Sequence, residues 1–275
     1  MPAFAITSNL DWTISKRPLV FPLANGELQT VPDKYGIVRD DNDSFLGVVS
    51  RDYEVVQNSE LLNLINPMVE EGLLTVQNMG YLNNGSKVFA QARINQDFQV
   101  VGEDYRAFIT LLNGHTGNAS VAIGATATRV ICGNTFSMAY SDLSERYRHQ
   151  VGVNERVLES KAVLNYVNGA MAKYAQSVEK LATTPCSSTQ FRNALEEIYL
   201  KDANKIRNIE VLNNLFYSGA GNEGRTMYDA LNAVTDYSSN RSRKTESGRF
   251  NYTNFGKGAT INRRAMAVLT ELVPA

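Results

Sequence analysis

The stretch Gly219 to Thr226, GAGNEGRT, has the spacing of a phosphate-binding loop, with arginine standing where that motif has its lysine. A phosphate loop works when it leaves a buried strand and enters a helix, so that its amides converge on phosphate at the helix start. Here the preceding IEVLNNLFYS reads as a helix, and no later strand offers a magnesium-holding aspartate. The segment therefore reads as a helix stop at Gly219, a flexible loop and an N-cap at Thr226.

Metal-dependent cleavage of nucleic acid needs carboxylates converging on one ion beside a lysine. The candidates are Asp40, Asp41 and Asp43, a turn-like acidic run that reads as solvated, and Glu159 with Lys161, which falls on a helix rather than a strand. His115 and His149 have no second histidine or cysteine at metal-ligand spacing and read as surface residues. In TATRVICGNT, Thr126 to Thr135, Cys132 stands near Arg129 but has no base partner, so it reads as a thiol packed beneath a sheet. Neither a catalytic set nor a cofactor or metal site is expected.

The cations remain. Lys87, Arg93, Arg106 and Arg129 fall on or beside strands, and Arg146, Arg148, Arg156 and Lys161 line the entry to a long helix. Arg241, Arg243 and Lys244 lie in a polar basic segment nearer the C-terminus. As a set they suit a groove that follows a phosphate backbone, with Phe89, Tyr105, Tyr140 or Tyr147 as stacking faces for unpaired bases. Taken singly, each reads as ordinary surface charge or a core aromatic.

Bulk charge does not favour a polyanion, since 27 basic side chains meet 28 acidic ones. Any nucleic-acid surface must come from local clustering. The clustering exists: residues 1–60 hold five basic and nine acidic side chains, whereas residues 225–264 hold eight basic and three acidic. Two cysteines without CxxC spacing fit a reducing compartment. The start MPAFAITSNLDW has no basic region followed by an apolar run, and no segment resembles a membrane span. A soluble, unexported protein of the cytoplasm, or of a host's cytoplasm if viral, is expected.

The elements that must place these residues follow from periodicity. In a chain of 275 residues, 43% hydrophobic, a substantial core is expected. Residues 1–45, with Pro2, Pro18, Pro22 and Pro32, read as an arm with short extended pieces, and the compact part is expected to start near Phe45. LGVVSRDYEVV reads as a strand or hairpin arm, followed by a helix capped at Asn58 or Ser59, disturbed at Pro67 and stopped at Gly72. LLTVQNMGYL and KVFAQARI form a hairpin about Asn83, Asn84 and Gly85, with Val88, Ala90, Ala92 and Ile94 on one face and Lys87, Gln91 and Arg93 on the other. Tyr105 to Leu112 and Ser120 to Cys132 read as further strands.

After Tyr140 the period changes to that of helices: a long one from about Asn154 to Ala182, one capped by Ser187 with Gln190, one holding Ile209, Leu212 and Phe216, one starting at Thr226 with Asp229, and a last one around Asn262 to Leu272. The polar, aperiodic segment from Ser238 to Asn254 reads as a mobile loop. The expected fold is α+β, an antiparallel sheet with a crossing helix in the N-terminal half and helices in the C-terminal half. The expected division is an arm (1–45), a β-rich core (46–150) and a helical region (151–275).

TRVICGNTFSMA, LGVVSRDYEVVQNSEL and ALNAVTDY together resemble the phage- and plasmid-like family called domain of unknown function 932, from about Leu46 to near the C-terminus. The chain departs from the pattern at Thr226-Met227-Tyr228, where a tryptophan-bearing triplet is expected, and in its short C-terminus. The resemblance implies an origin in phages or plasmids and no particular activity. The order of hairpins and helices is similar in outline to single-strand annealing proteins of the RecT and Redβ kind. The expected function is an oligomeric protein, a ring or filament, that binds and anneals single-stranded DNA without nucleotide, metal or membrane. A structural or protein-interaction role in phage assembly or counter-defence is the alternative, and a metal-dependent nuclease the third.

Overall fold

The computed structural model describes residues 9–117, 121–131, 133–137, 146–147, 160–199 and 208–274. Strands β1 (Ile14–Pro22), β2 (Leu28–Arg39) and β3 (Phe45–Ser50) form an antiparallel three-stranded sheet in that order. The stretch expected as an arm of short extended pieces is thus two long paired strands. Its prolines are compatible with pairing because of where they fall. Pro18 and Pro22 lie on the edge strand, and Pro32 lies in a bulge of β2 beside Asp33, whose φ is +54°.

Two short helices, α1 (Asn58–Asn63) and α2 (Asn66–Glu70), follow. Gln57 and Glu60 close a capping box, Pro67 sits in the first turn of α2, and Gly72 at φ +72° ends it. Strands β4 (Leu74–Leu82), β5 (Lys87–Val100), β6 (Glu103–Gly114), β7 (Val121–Arg129), β8 (Thr135–Ser137) and β9 (Arg146–Tyr147) make the second sheet, ordered β4-β5-β6-β7-β8, with β9 also pairing with β7. The β4–β5 turn uses Asn83, Asn84 and Gly85, all at positive φ, as their composition predicts.

On β5 the predicted face Val88, Ala90, Ala92 and Ile94 is buried. Gln91, on the opposite face, is buried too. It accepts from Asn78 Nδ2 at 2.9 Å on β4 and donates to Thr110 Oγ1 at 3.2 Å on β6, a polar row that keeps the amides satisfied away from water.

The helical part comprises α3 (Ser160–Thr183), α4 (Ser188–Ile198), α5 (Ile209–Ser218), α6 (Met227–Asp236), α7 (Glu246–Asn254) and α8 (Lys257–Glu271). The Ser187–Gln190 and Thr226–Asp229 capping boxes form as read from sequence. The expectation of a mobile loop over 238–254 is corrected: α6 runs into a π turn, Tyr237–Arg241, and α7 fills most of the remainder. Hydroxyl groups rather than an apolar stripe hold it. Ser238 is buried with its Oγ on Asn262 Oδ1 at 2.8 Å, and Thr253 Oγ1 and Ser242 Oγ both donate to the Ser238 carbonyl, at 3.1 Å and 2.6 Å.

The chain divides into two compact units, one of Met1–Asn95, Ile109–Gly124 and Ser144–Asn165, the other of Gln96–Phe108, Ala125–Leu143 and Tyr166–Ala275. Among the described residues, no helix is long and apolar enough to cross a membrane.

Candidate functional site

The segment TATRVICGNT acts as a strut within the second unit. Its strand β7 ends at Arg129, and a turn closes when Gly133 N donates to Arg129 O at 2.9 Å and Arg129 N to Asn134 O at 3.0 Å. Cys132 lies outside the described residues. The Arg129 side chain is only 1% exposed, which corrects its assignment as a DNA contact. Its guanidinium forms a two-pronged ion pair with Glu103 on β6 and donates to the carbonyls of Ala220 at 2.9 Å and Gly221 at 3.4 Å. The cation is turned inward onto the GAGNEGRT loop.

Two phenols complete this cluster. Tyr228 Oη donates to Glu103 Oε2 at 2.6 Å and is hydrogen-bonded to the Tyr105 hydroxyl, while the Tyr105 and Tyr174 rings meet edge-on at 5.7 Å. Burial raises the pKa of both Tyr105 and Tyr228, and each stays neutral throughout the ordinary pH range. Glu103 accepts from both Arg129 and Tyr228, so the cluster ties β6, β7 and α6 together.

The other end of the strut is clamped by helices. Asn134 Nδ2 donates to Asn232 O on α6 at 3.2 Å, and Asn240 Nδ2 of the π turn donates to Asn134 Oδ1 at 3.1 Å. Thr135 N donates to Ser239 Oγ at 3.0 Å, and Asn262 Nδ2 on α8 reaches Thr135 O at 3.2 Å. Sequence reading missed these roles, because an asparagine after a glycine turn signals only a turn.

The loop between α5 and α6 does gather amides around an anion, but the anion is the chain's own. The Asp229 carboxylate, buried, accepts from Arg225 N at 3.0 Å, Thr226 N at 3.0 Å, Glu223 N at 3.4 Å and Thr226 Oγ1 at 3.0 Å. A carboxylate sits where the motif would put a phosphate, and the exposed Arg225 pairs with Glu223 at 3.5 Å.

The remaining candidates separate. Asp40 and Asp43 pair with Arg17 at 3.1 Å and 3.0 Å, and Asp41 pairs with Arg39. Hydrogen bonds from Ser15 and Thr13, with the Arg17 pairing, hold Asp40 below the ordinary carboxylate pKa, while Arg39 does the same for Asp41. Arg39 itself is buried, with its guanidinium 4.0 Å above the Trp12 ring and 4.8 Å from that of Tyr81. His115, expected at the surface, is fully buried beside Trp12, their rings meeting edge-on at 6.3 Å. Among the described residues no group of three His, Cys, Asp or Glu is placed to hold a metal ion.

Of the proposed stacking faces, Phe89 and Tyr105 are core residues. Tyr140, Arg148, Arg156, His149 and Glu159 lie outside the described residues; Arg146 and Tyr147 form β9, and Lys161 starts α3. Lys87 is exposed on β5, while Arg93 and Arg106 are half-buried. Among the described candidates, Arg241, Arg243 and Lys244 are brought together and exposed, at the junction of the π turn and α7. Arg241 keeps half its side chain in water while its Nε donates to Asp236 at 3.2 Å. Arg249 Nη1 donates to the carbonyls of Arg243 at 3.1 Å and Lys244 at 3.2 Å, and Thr245 caps α7.

No curated protein and no solved structure matches the chain. A family model described as Domain of unknown function (DUF932) matches residues 45–266, from the first residue of β3 into α8. The match takes in the strut, the loop that Arg129 holds and the basic junction: the chain belongs to the DUF932 family.

Proposed function

We propose that the protein binds and anneals single-stranded DNA as an oligomer in a phage- or plasmid-borne recombination or replication process. The observation that carries this reading is the basic junction of the second unit, where Arg241, Arg243 and Lys244 are exposed on a π turn and helix start fixed from behind by Ser238, Asn240 and Arg249. Cations held on an ordered frame attract a phosphate backbone at a small entropic cost. Annealing makes and breaks no covalent bond, so the reading calls on the chain's own cations rather than on a nucleotide or a metal. The expected likeness in outline to annealing proteins of the RecT and Redβ kind motivates the reading by analogy alone.

Titrating the protein against a single-stranded oligonucleotide and its duplex at low and moderate salt tests the reading. Tighter binding of the single strand, weakening as salt rises, is the expected result; indifference to both at low salt refutes it.

A second reading is a protein-interaction component. The β1–β2 hairpin supports it, because Val20, Phe21, Leu23 and Leu28 expose 37–69% of their surface around one hairpin end. Particles that assemble identically with and without DNA, seen by electron microscopy, favour this alternative.

A further inference from the structure

The basic junction also contains an aromatic ring that the reading of its charges leaves unused. Tyr252, half-buried on α7, lies against Gly258 of α8 so closely that a Cβ on Gly258 meets Tyr252 Cδ1 at 2.5 Å and Cε1 at 2.6 Å. On the ring rests the Arg243 guanidinium, its central carbon 4.1 Å from the centroid. Arg243 Nη1 also donates to the Ser242 carbonyl at 2.8 Å, a second tie on the guanidinium. Gly258, Tyr252 and Arg243 thus make a layered contact, glycine to ring to guanidinium, with Arg243 exposed.

We propose that this stack is a base-binding step: an unpaired base of single-stranded DNA lies on the outer face of the Arg243 guanidinium, with Arg241 and Lys244 holding the flanking phosphates. The proposal rests on the single-strand reading above and deepens it by assigning the selectivity for unpaired bases to one pair of residues. A guanidinium plane stacks on any base, so the step is tolerant of sequence. In a duplex the bases are stacked on one another and closed to such a plane. Arg249, tied to the carbonyls of Arg243 and Lys244, positions the two cations rather than touching the strand.

The test compares fluorescence anisotropy of a labelled oligothymidylate with that of an abasic deoxyribose-phosphate oligomer of equal length. Wild type should favour the base-bearing strand. Arg243→Lys, which keeps the charge and removes the plane, should weaken oligothymidylate binding by about tenfold while leaving the abasic oligomer unchanged. Tyr252→Leu, which removes the ring beneath the guanidinium, should behave like Arg243→Lys, with circular dichroism confirming a folded chain. Equal losses on both oligomers, or none on either, overturn the stacking step while leaving single-strand binding intact. If wild type binds neither oligomer, the underlying reading and this step fall together.

Discussion

Arg129 on β7 and Glu103 on β6 hold each other in a two-pronged ion pair, the arginine shut from water and the carboxylate still 24% exposed. Because the guanidinium also donates to the Ala220 and Gly221 carbonyls, removing it strands both a carboxylate and part of a loop. Arg129→Met should lower the unfolding free energy by about 2 to 4 kcal/mol, read as a fall in the urea midpoint. A double-mutant cycle with Glu103→Gln should show strong coupling, since the two side chains share one network. Loss of DNA binding in an Arg129 variant would therefore report unfolding, and has to be compared with the surface variant Arg243→Lys.

The Asp229 carboxylate should matter for order rather than for nucleotide binding. It accepts from three backbone amides and the Thr226 hydroxyl, so Asp229→Ala should destabilise the protein by about 1 to 2 kcal/mol and expose the loop 219–226 to proteolysis. Magnesium and adenosine triphosphate should leave the wild-type melting temperature unmoved. A rise on adding nucleotide would show that the loop releases Asp229 for phosphate.

Much of the fold is legible from local chemistry. Gly72, the Asn83-Asn84-Gly85 turn and the Ser187–Gln190 and Thr226–Asp229 boxes act within a few residues of themselves, so spacing suffices to find them. The errors share one cause, contacts made far along the chain. The segment 238–254 lacks an apolar stripe and is ordered through Asn134, Thr135 and Asn262. Arg129 resembles any strand cation until Glu103 and the loop carbonyls, distant in sequence, close around it. His115 is buried beside Trp12 for the same reason. At the candidate site, Arg241, Arg243 and Lys244 stood out by charge density, but Tyr252 did not, because its meeting with Arg243 depends on the turn into α7.

Asp40 gives the first sheet an acid-sensitive contact. Hydrogen bonds from Ser15 and Thr13, with Arg17, hold its pKa below the usual 3.8, so the folded state binds a proton less readily than the unfolded chain. The stabilisation is complete above the unfolded value and is lost as pH falls through the folded one. Asp40→Asn should therefore flatten the decline in stability below about pH 4, measured by chemical denaturation at a series of pH values. An unchanged slope would show that other carboxylates control the acid limb.

Cys186 offers a probe of the helical region near Asp229. The residue is buried and its backbone N donates to Arg225 O at 2.8 Å, which places the thiol beside the 219–226 loop. Burial, with a smaller contribution from the Asp229 charge, pushes the thiol up to about 11. Alkylation proceeds through the thiolate, and against an ordinary thiol near 9 the reactive fraction at pH 8 is reduced by about a hundredfold, before burial slows access further. Peptide mapping after iodoacetamide treatment should find Cys186 unmodified in the native protein and fully modified in denaturant. In Asp229→Ala the local charge and the loop's anchor are both lost, so Cys186 should label faster than in wild type while the rest of the chain remains folded. Rapid labelling of wild-type Cys186 at pH 8 would mean that this part of the second unit opens far more readily than its packing implies.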